Sequence, residues 1–322
     1  MKFVLVVALV SALATAFIPS ATAQTNLFAS STTGVFTFTL GGANQGSFIS
    51  GATSSNFRRL TFGADRTGDG TNDLYVGDDT IGGIRIFNGV SGAFDHSYSP
   101  SPGGQIRELA VDPTNLSLYY ANLSRIGRRA ADESFAPGTG QTGDTFVSGS
   151  SMFSVIIGPD LKVYLLEGAT LRRFSTAGGT AEKSQAVTCT LCSHLEFGQD
   201  VTGDGLPELY ASDFSGGQIR VFNVLANPSS WTQLSDAIAF GGTANPVGFA
   251  FHDDDMYVAL TTAGRIARYR WSGSSWNALP SPGNTGDTFA TLAGAQDVFF
   301  PIPEPMSASL VLAAALLLWR KR

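Results

Sequence analysis

Two nine-residue segments, 65–73 and 200–208, carry oxygen-bearing side chains at a spacing that suits a hard cation. Side-chain oxygens stand at positions 1, 3, 5 and 9, a glycine at position 6 allows a sharp turn, and the position-7 carbonyl can add a ligand. The positions are Asp65, Thr67, Asp69, Thr71 and Asp73 in the first segment, and Asp200, Thr202, Asp204, Leu206 and Glu208 in the second. Because Ca²⁺ takes roughly six to eight oxygen ligands, the sequence predicts two calcium sites. A glycine-aspartate turn without metal is the alternative.

The loops differ from an EF-hand, because position 12 is Val76 or Ala211 and not glutamate. The pattern resembles the calcium hairpin of FG-GAP (integrin-type) propeller repeats, which lies between the first two strands of a blade. Thr67 and Thr202 stand where that family usually has asparagine or aspartate. A hydroxyl is a weaker calcium ligand, so the resemblance implies binding of modest affinity.

The segments that contain these loops are copies of one another. Residues 60–88 and 195–223 align without a gap at an offset of 135, with 16 of 29 positions identical. A second pair, 142–146 and 285–289, repeats the sequence Thr-Gly-Asp-Thr-Phe at an offset of 143. The body of the chain is therefore expected to be a repeat array.

Weaker copies with period-two alternation fill the intervals, as half-buried strands require. Units start near residues 57, 106, 152, 194 and 247, a spacing typical of four-stranded propeller blades. Strand 296–300 can join strands 27–30, 35–40 and 46–49 to complete a sixth unit, so that no sheet edge is left unpaired. We therefore predict an all-β, six-bladed β-propeller over residues 24–302. Seven blades is the alternative, and a parallel β-solenoid would need shorter rungs. The offsets near 140 equal three blades, as in a duplicated half-ring.

The units also resemble NHL-type and streptogramin-lyase-type propeller repeats, through the stretch LYVGDDTIGGIRIFNGVSGAF at 74–94. This resemblance implies the propeller architecture and little about function, because one fold hosts many functions.

The N-terminal segment, residues 1–23, has the pattern of a secretory signal peptide. Lys2 precedes an apolar run, and Ala21 and Ala23 form an A-x-A cleavage pattern. A buried N-terminal helix is the alternative. The pattern predicts an exported protein.

The C-terminal segment, residues 303–322, has three parts in order. They are the triplet Pro303, Glu304 and Pro305, a 14-residue apolar stretch predicted to be a short helix, and the basic triplet Arg320, Lys321 and Arg322. The stretch is shorter than the roughly 20 residues of a comfortable transmembrane helix. This arrangement resembles the PEP-CTERM sorting signal of Gram-negative bacteria. The resemblance implies processing by exosortase, a membrane transpeptidase, and delivery to the outer surface or extracellular matrix; a simple tail anchor is the alternative.

The charge balance excludes a basic nucleic-acid footprint. The whole chain has a net charge of −6, and residues 24–305 keep 26 acidic against 16 basic residues, a net charge of −10. Such an acidic surface suits a protein that binds divalent cations and disfavours anionic membranes as partners. Membrane contact is expected only transiently, through the C-terminal helix.

Cys189 and Cys192 are the two cysteines, in a C-x-x-C spacing. In an exported chain this pair is expected to close a small disulfide within the loop between two blades. A redox motif would need a thioredoxin-like βαβ unit, and a metal site would need further ligands, for which His194 is the nearby candidate.

The sequence is compatible with two functions. The favoured one is a non-catalytic, calcium-binding propeller that acts as a binding or structural module and contacts extracellular polysaccharide or a surface protein. The alternative is a propeller enzyme, a lactonase-like hydrolase or a lyase, with a metal at the central channel. Glu108, Glu196 and His252 are its first candidate ligands, because they lie near innermost strands. Convergence of these side chains at the axis would favour the enzyme.

Overall fold

The computed structural model describes residues 26–49, 56–100, 104–240 and 244–301. Over these residues the chain forms 25 β-strands, and no helix in them is long and apolar enough to cross a membrane. The predicted signal peptide and the C-terminal sorting segment lie outside the described residues.

The strands form six antiparallel sheets, which are the blades of a propeller. Blade 1 contains β25 (Ala295–Phe299), β1 (Asn26–Ser31), β2 (Gly34–Thr39) and β3 (Asn44–Ile49). Blade 2 contains β4 (Phe57–Phe62), β5 (Leu74–Asp78), β6 (Gly83–Phe87) and β7 (Phe94–Tyr98). Blade 3 contains β8 (Ile106–Val111), β9 (Leu118–Asn122), β10 (Arg125–Arg129) and β11 (Thr145–Ser148).

The second half of the ring has the same plan. Blade 4 contains β12 (Met152–Ile157), β13 (Val163–Glu167), β14 (Thr170–Phe174) and β15 (Lys183–Ala186). Blade 5 contains β16 (Cys192–Phe197), β17 (Leu209–Asp213), β18 (Gln218–Asn223) and β19 (Thr232–Ala239). Blade 6 contains β20 (Pro246–His252), β21 (Asp255–Leu260), β22 (Arg265–Trp271), β23 (Trp276–Ala278) and β24 (Thr288–Thr291), with both β23 and β24 paired to β22.

The predicted six blades and the closure by mixed termini are confirmed. Strand β25 pairs with β1 in the register Phe28↔Phe299 and Ala29↔Val298, and it contacts the innermost strands β20 and β4 of the flanking blades. The chain ends are therefore held in one sheet, which closes the ring without an unpaired inner edge.

Apolar side chains fill the spaces between adjacent blades. Between blades 1 and 2, for example, Phe28 and Val35 pack against Leu74 and Val76. Each of these side chains is less than 4% exposed. Five further clusters occupy the other blade interfaces within the described residues. Each blade therefore has apolar side chains on both faces, and these pack against the two neighbouring blades.

Every innermost strand has a β-bulge near its start. In β4, for instance, Phe57 pairs with Asp78 and Arg59 with Gly77, so that Arg58 has no residue opposite it. The equivalent extra residues are Arg107, Phe153, Ser193, Gln296 and, within the Val247–Gly248 pair, one residue of β20. A bulge re-aims side chains. This irregularity therefore determines what faces the axis of the ring.

Candidate functional sites

The two predicted calcium loops occupy equivalent places in the ring. Residues 65–73 connect β4 to β5 in blade 2, and residues 200–208 connect β16 to β17 in blade 5. Blades 2 and 5 are three positions apart, so the two loops lie on opposite sides of the ring.

Backbone amides shape the loop of blade 5 around its first aspartate. The amides of Gly203 and Gly205 donate to the two Asp200 carboxylate oxygens over 2.6 and 2.7 Å. Both glycines have positive φ, 76° and 84°, a conformation that side chains with a Cβ rarely adopt. The glycines are thus required by the backbone path that wraps the loop.

The loop of blade 2 has the same frame. Gly68 and Gly70 donate to the Asp65 oxygens over 2.6 and 2.8 Å. In both loops the backbone amide at position 7, from Thr71 or Leu206, donates to the position-5 aspartate over 2.9 Å. Identical hydrogen bonds in two copies show that the repeated sequence specifies one loop structure.

The loop of blade 5 gathers three carboxylates. One oxygen from each of Asp200, Asp204 and Glu208 lies within 4.8 Å of the others. Thr202 Oγ1 donates to Glu208 Oε1 over 2.7 Å, which leaves the lone pairs of the hydroxyl oxygen available. Asn223, at the end of β18, donates its side-chain amide to Asp204 Oδ2. Carboxylate and hydroxyl oxygens are ligands that calcium takes, so the residues fit the ion.

The acids of blade 2 do not come as close together. Asp73 is one methylene shorter than Glu208, and its carboxylate accepts hydrogen bonds from the amides of Arg66, Thr67 and Gly89. Asp73 is fully buried. Of the two predicted sites, blade 5 therefore has the more complete ligand set.

Hydrogen bonds keep the outer loop aspartates acidic. Burial opposes the effect at Asp200, but the hydrogen bonds to its carboxylate, led by those from the Gly205 and Gly203 amides, together outweigh burial and lower its pKa. The Thr71 hydroxyl and the Asn88 amide lower the pKa of Asp69. Burial raises the pKa of Glu208. At neutral pH the exposed aspartates thus carry the negative charge that a cation needs.

A second polar cluster lies where the six innermost strands meet. Each strand contributes the residue that follows its bulge, and the six are Arg59, Glu108, Ser154, His194, Gly248 and Asp297. All six are buried. We call this set the axial ring. The six residues are of six different types, so no sequence repeat reveals the axial ring. What they share is their equivalent position in the innermost strand of each blade.

Within the axial ring, the side chains of Glu108 and His194 are hydrogen-bonded to each other. His194 Nδ1 donates to Glu108 Oε2 over 2.6 Å, and Nε2 faces the Phe249 carbonyl oxygen at 3.0 Å. Since both ring nitrogens face acceptors, the imidazole is held as a cation. Burial lowers the pKa of His194, but the charge of Glu108 and its hydrogen bond outweigh this and leave the pKa raised. Ser154 Oγ donates to Glu108 and not to the imidazole, so these three residues do not form a nucleophile–base pair.

Arg59 links the axial ring to the β-bulges through hydrogen bonds. Its guanidinium donates to the backbone oxygens of Arg107, Gln296 and Ser193, which belong to blades 3, 1 and 5. Its side chain also lies 3.5 Å from Glu108 and 3.7 Å from Asp297. The two cations and two carboxylates of the axial ring balance one another.

Of the three predicted channel ligands, Glu108 alone belongs to the axial ring. Glu196 is close enough to feel the charges of His194, Glu108 and Asp297, and burial raises its pKa to about 8. His252 lies at the end of β20, where it contacts Asp253 and Phe300, and it does not join the others. The expectation for His252 is therefore wrong, because the end of an innermost strand lies away from the axial ring.

A cavity of about 320 Å³ opens against the axial ring. Its wall includes the bulge residue of every blade, namely Arg58, Arg107, Phe153, Ser193, Val247 and Gln296, and Arg59 adjoins them from the axial ring. The described residues that line it include no carboxylate, imidazole or thiol. The cavity thus offers cationic and apolar groups to a ligand and no metal ligands of the usual kinds.

The structure joins Cys189 to Cys192 in a disulfide, with 5.7 Å between the Cα atoms. Cys192 is the first residue of β16, and Cys189 lies in the connection from blade 4 to blade 5. His194 is occupied by Glu108 and the Phe249 carbonyl, so it does not serve the cysteines as a metal ligand.

No protein-family model matches the chain, and a search of curated proteins finds no match. Solved structures do match. A chain of a nidogen/laminin complex is 13% identical, with a TM-score of 0.61, over 86% of this chain and 99% of that one. A putative 6-phosphogluconolactonase from Bacteroides fragilis is 13% identical, with a TM-score of 0.55, over 88% and 99%. Virginiamycin B lyase from Staphylococcus aureus is 14% identical, with a TM-score of 0.51, over 73% of each chain. At these identities the likeness shows the β-propeller fold alone.

Proposed function

We propose that the protein is an exported, non-catalytic, calcium-binding β-propeller that acts as a binding or structural module. The single observation that carries the proposal is the pair of loops in blades 2 and 5, which share one backbone frame and have an acid at the same three loop positions. The two segments are copies that differ at 13 of 29 positions, yet both have an acid at loop positions 1, 5 and 9, which supports a shared role for these acids.

The chemistry of the loops supports calcium over softer metals. The side-chain donors at both sites are carboxylate or hydroxyl oxygens, which hard cations prefer, and no sulfur or imidazole group belongs to either segment. Asp200, Asp204 and Glu208 would hold the ion in blade 5, and Asp65, Asp69 and Asp73 in blade 2. The ion would neutralise acids that otherwise repel one another.

The role of calcium would be to hold the first hairpin of each blade. An ion that binds only the folded state adds RT ln(1 + [L]/Kd), about 2.7 kcal/mol at a hundredfold excess over Kd. Each loop joins an innermost strand to the second strand of its blade. Binding there would stabilise the part of the blade that borders the axial ring.

The destination is proposed from the two ends of the chain. A signal peptide at 1–23 and a PEP-CTERM segment at 303–322 imply export, exosortase processing, and display at the outer surface or in the extracellular polysaccharide matrix of a Gram-negative bacterium. The disulfide between Cys189 and Cys192 agrees with an oxidising compartment.

One observation favours the enzyme alternative, since Glu108 and His194 do meet at the axis. Glu108 is 2% exposed, however, and its Oε2 already accepts hydrogen bonds from both His194 and Ser154. Its other oxygen, Oε1, accepts the Leu109 amide. Glu108 is also not among the residues that line the axial cavity, so a substrate there would not contact it, which supports the binding module over the hydrolase or lyase.

Calorimetric titration with Ca²⁺ tests the proposal on the folded chain. We expect two binding events in the wild type and one in Asp69→Ala or Asp204→Ala. Asp254→Ala is the matched control, because this exposed aspartate lies outside both loops. Absence of calcium binding in the wild type, or equal binding in all variants, would overturn it.

A further inference from the structure

The axial cavity has the size and construction of a small-ligand site. Its volume of about 320 Å³ falls at the lower end of the range for ligand pockets. Because the β-bulges place one residue from every blade in its wall, the cavity is a product of the whole ring and not of a single loop.

The charge of the cavity is positive. Arg58 forms an ion pair with the buried Asp79, so this cation is neutralised. Arg107 has no ion pair within the described residues; its guanidinium donates from Nη2 to the Gln105 side chain, and Nε has no acceptor there. Burial and the nearby charges of Arg58 and Arg59 lower the pKa of Arg107, and the charge of Asp79, which pairs with Arg58, opposes this only in part. One positive charge in the wall is therefore available to an anion.

The rest of the wall is largely apolar. Phe153 and Phe214 present aromatic side chains, and Leu191 and Val247 add aliphatic ones. An inorganic anion would leave these groups without contacts, whereas a purely apolar ligand would leave Arg107 without a counter-charge. The wall is complementary to a ligand that carries both an anionic group and a flat or apolar body.

We infer that the axial cavity binds a carboxylate carried on a six-membered ring. A guanidinium meets a planar carboxylate with two parallel hydrogen bonds, which a neutral hydroxyl cannot match. The ring of the ligand packs against Phe153 and Phe214. This ligand class is available from a uronic acid of an acidic polysaccharide or from an aromatic acid. The inference rests on the proposed binding module and names what that module binds.

The cavity and the calcium loops lie at opposite ends of the same strands. Arg58 and Ser193 stand near the starts of β4 and β16, whereas the loops follow the ends of those strands. A six-residue strand spans about 20 Å. Ligand binding is therefore expected to persist when a loop aspartate is replaced.

The test uses three probes on the folded, calcium-loaded protein: galacturonate, benzoate and neutral galactose. Isothermal titration should detect at least one of the two acids, bound at least about tenfold more tightly than galactose. Galacturonate bound over benzoate identifies the sugar acid as the source of the ligand, and the reverse order identifies the aromatic acid. If neither acid binds, or if galactose binds equally well, the inference is overturned.

Substitutions locate the binding. Arg107→Gln should weaken the bound acid at least about tenfold, and Arg107→Lys, which keeps the charge but not the paired donors, by less. Arg172→Gln, on the third strand of blade 4 and away from the cavity, is the matched control and should bind as the wild type does. Unchanged affinity in Arg107→Gln would overturn the inference. In the Asp69→Ala and Asp204→Ala variants, loss of a calcium-binding event with retained acid binding supports both hypotheses and shows that the two kinds of site are independent. Acid binding to a wild type that binds no calcium would leave only the cavity supported, and calcium binding without acid binding would leave only the loops.

Discussion

Asn223 Nδ2 lies 2.9 Å from Asp204 Oδ2, which ties the central acid of the blade 5 loop to the end of the third strand of the same blade. Asn88 makes the equivalent contact with Asp69 in blade 2. The asparagine side chain is neutral, so it adds no charge to the site. Its contribution is to orient one carboxylate oxygen and leave the rest of the carboxylate for an ion.

Asn223→Ala should therefore weaken calcium binding without removing a ligand. Loss of a group that orients a metal-binding carboxylate typically costs roughly 10- to 100-fold in affinity, and we expect the lower end here because Asp204 is exposed. Calorimetric titration measures the change, with the exposed Asn277→Ala as control. Wild-type affinity in Asn223→Ala would show that Asp204 needs no such support.

Asp69→Ala and Asp204→Ala should each lower the melting temperature in calcium and change it little in chelator. Removal of a central carboxylate abolishes most of the stabilisation by the ion, and the loss should be larger for Asp204, whose loop has the closer acids. The effects should add in the double variant, because the loops share no partners. Thermal denaturation with and without EGTA checks this; equal losses in both conditions would mean that the aspartates act only as turn residues.

Replacing Arg320, Lys321 and Arg322 by glutamine should leave export intact and impair C-terminal processing. The basic triplet is expected to orient and retain the short apolar helix for the transpeptidase. Mass spectrometry of the secreted and cell-bound protein measures the C-terminus. Normal trimming of the variant would contradict the sorting-signal interpretation.

Glu196→Gln should make the protein less sensitive to alkaline pH. Burial raises the folded-state pKa of Glu196 to about 8, above its unfolded value, so the folded state binds more protons in the intervening range. The corresponding stability is complete below about pH 4.5 and is lost as the pH rises toward 8. At about pH 9 we expect the variant to exceed the wild type by about 1–3 kcal/mol in the free energy of unfolding, relative to their difference at about pH 5.

Denaturant unfolding at the two pH values measures this difference. Glu182→Gln is the control, since the Glu182 side chain is 31% exposed and pairs with Lys162. A pH-independent difference between Glu196→Gln and the wild type would show that Glu196 is ionised in the folded protein throughout.

The sequence allows the fold to be predicted because the same signals recur in every unit. Alternation in 296–300 and 27–30 predicts two strands, and the structure forms them at Ala295–Phe299 and Asn26–Ser31. The need to close the ring then pairs the two ends of the chain. The apolar alternation of each strand and the closure of the ring favour the same structure. The predicted strand boundaries therefore differ from the observed ones by only one or two residues.

The calcium loops are visible in the sequence for a different reason. Their ligands lie within nine consecutive residues, and the glycines that shape the turns have positive φ. One short segment therefore contains both the ligand residues and the residues that determine the loop conformation. The pair Asp144 and Asp287, in the second repeated segment, likewise makes the same ion pair, with Arg125 and with Arg265.

The axial ring and the cavity could not be predicted in this way. Their residues come from all six blades, and the bulges that aim them leave no period in the sequence. Glu108 was identifiable as an acid on an innermost strand, but its partner His194 was not. Asp255 shows the same limit, since it is buried between Arg268 and Arg270, which lie on the third strand of blade 6.

The most direct test of calcium binding by this propeller is the melting temperature of wild-type residues 24–302 in excess calcium and in EGTA. The two loops place acids together in the folded state only, so calcium should raise the melting temperature by several degrees, in step with a gain of about 2–3 kcal/mol. Magnesium at the same concentration serves as the control for ionic strength and should raise it less. Identical melting temperatures in calcium and EGTA would contradict the account, because the loops would then be plain turns.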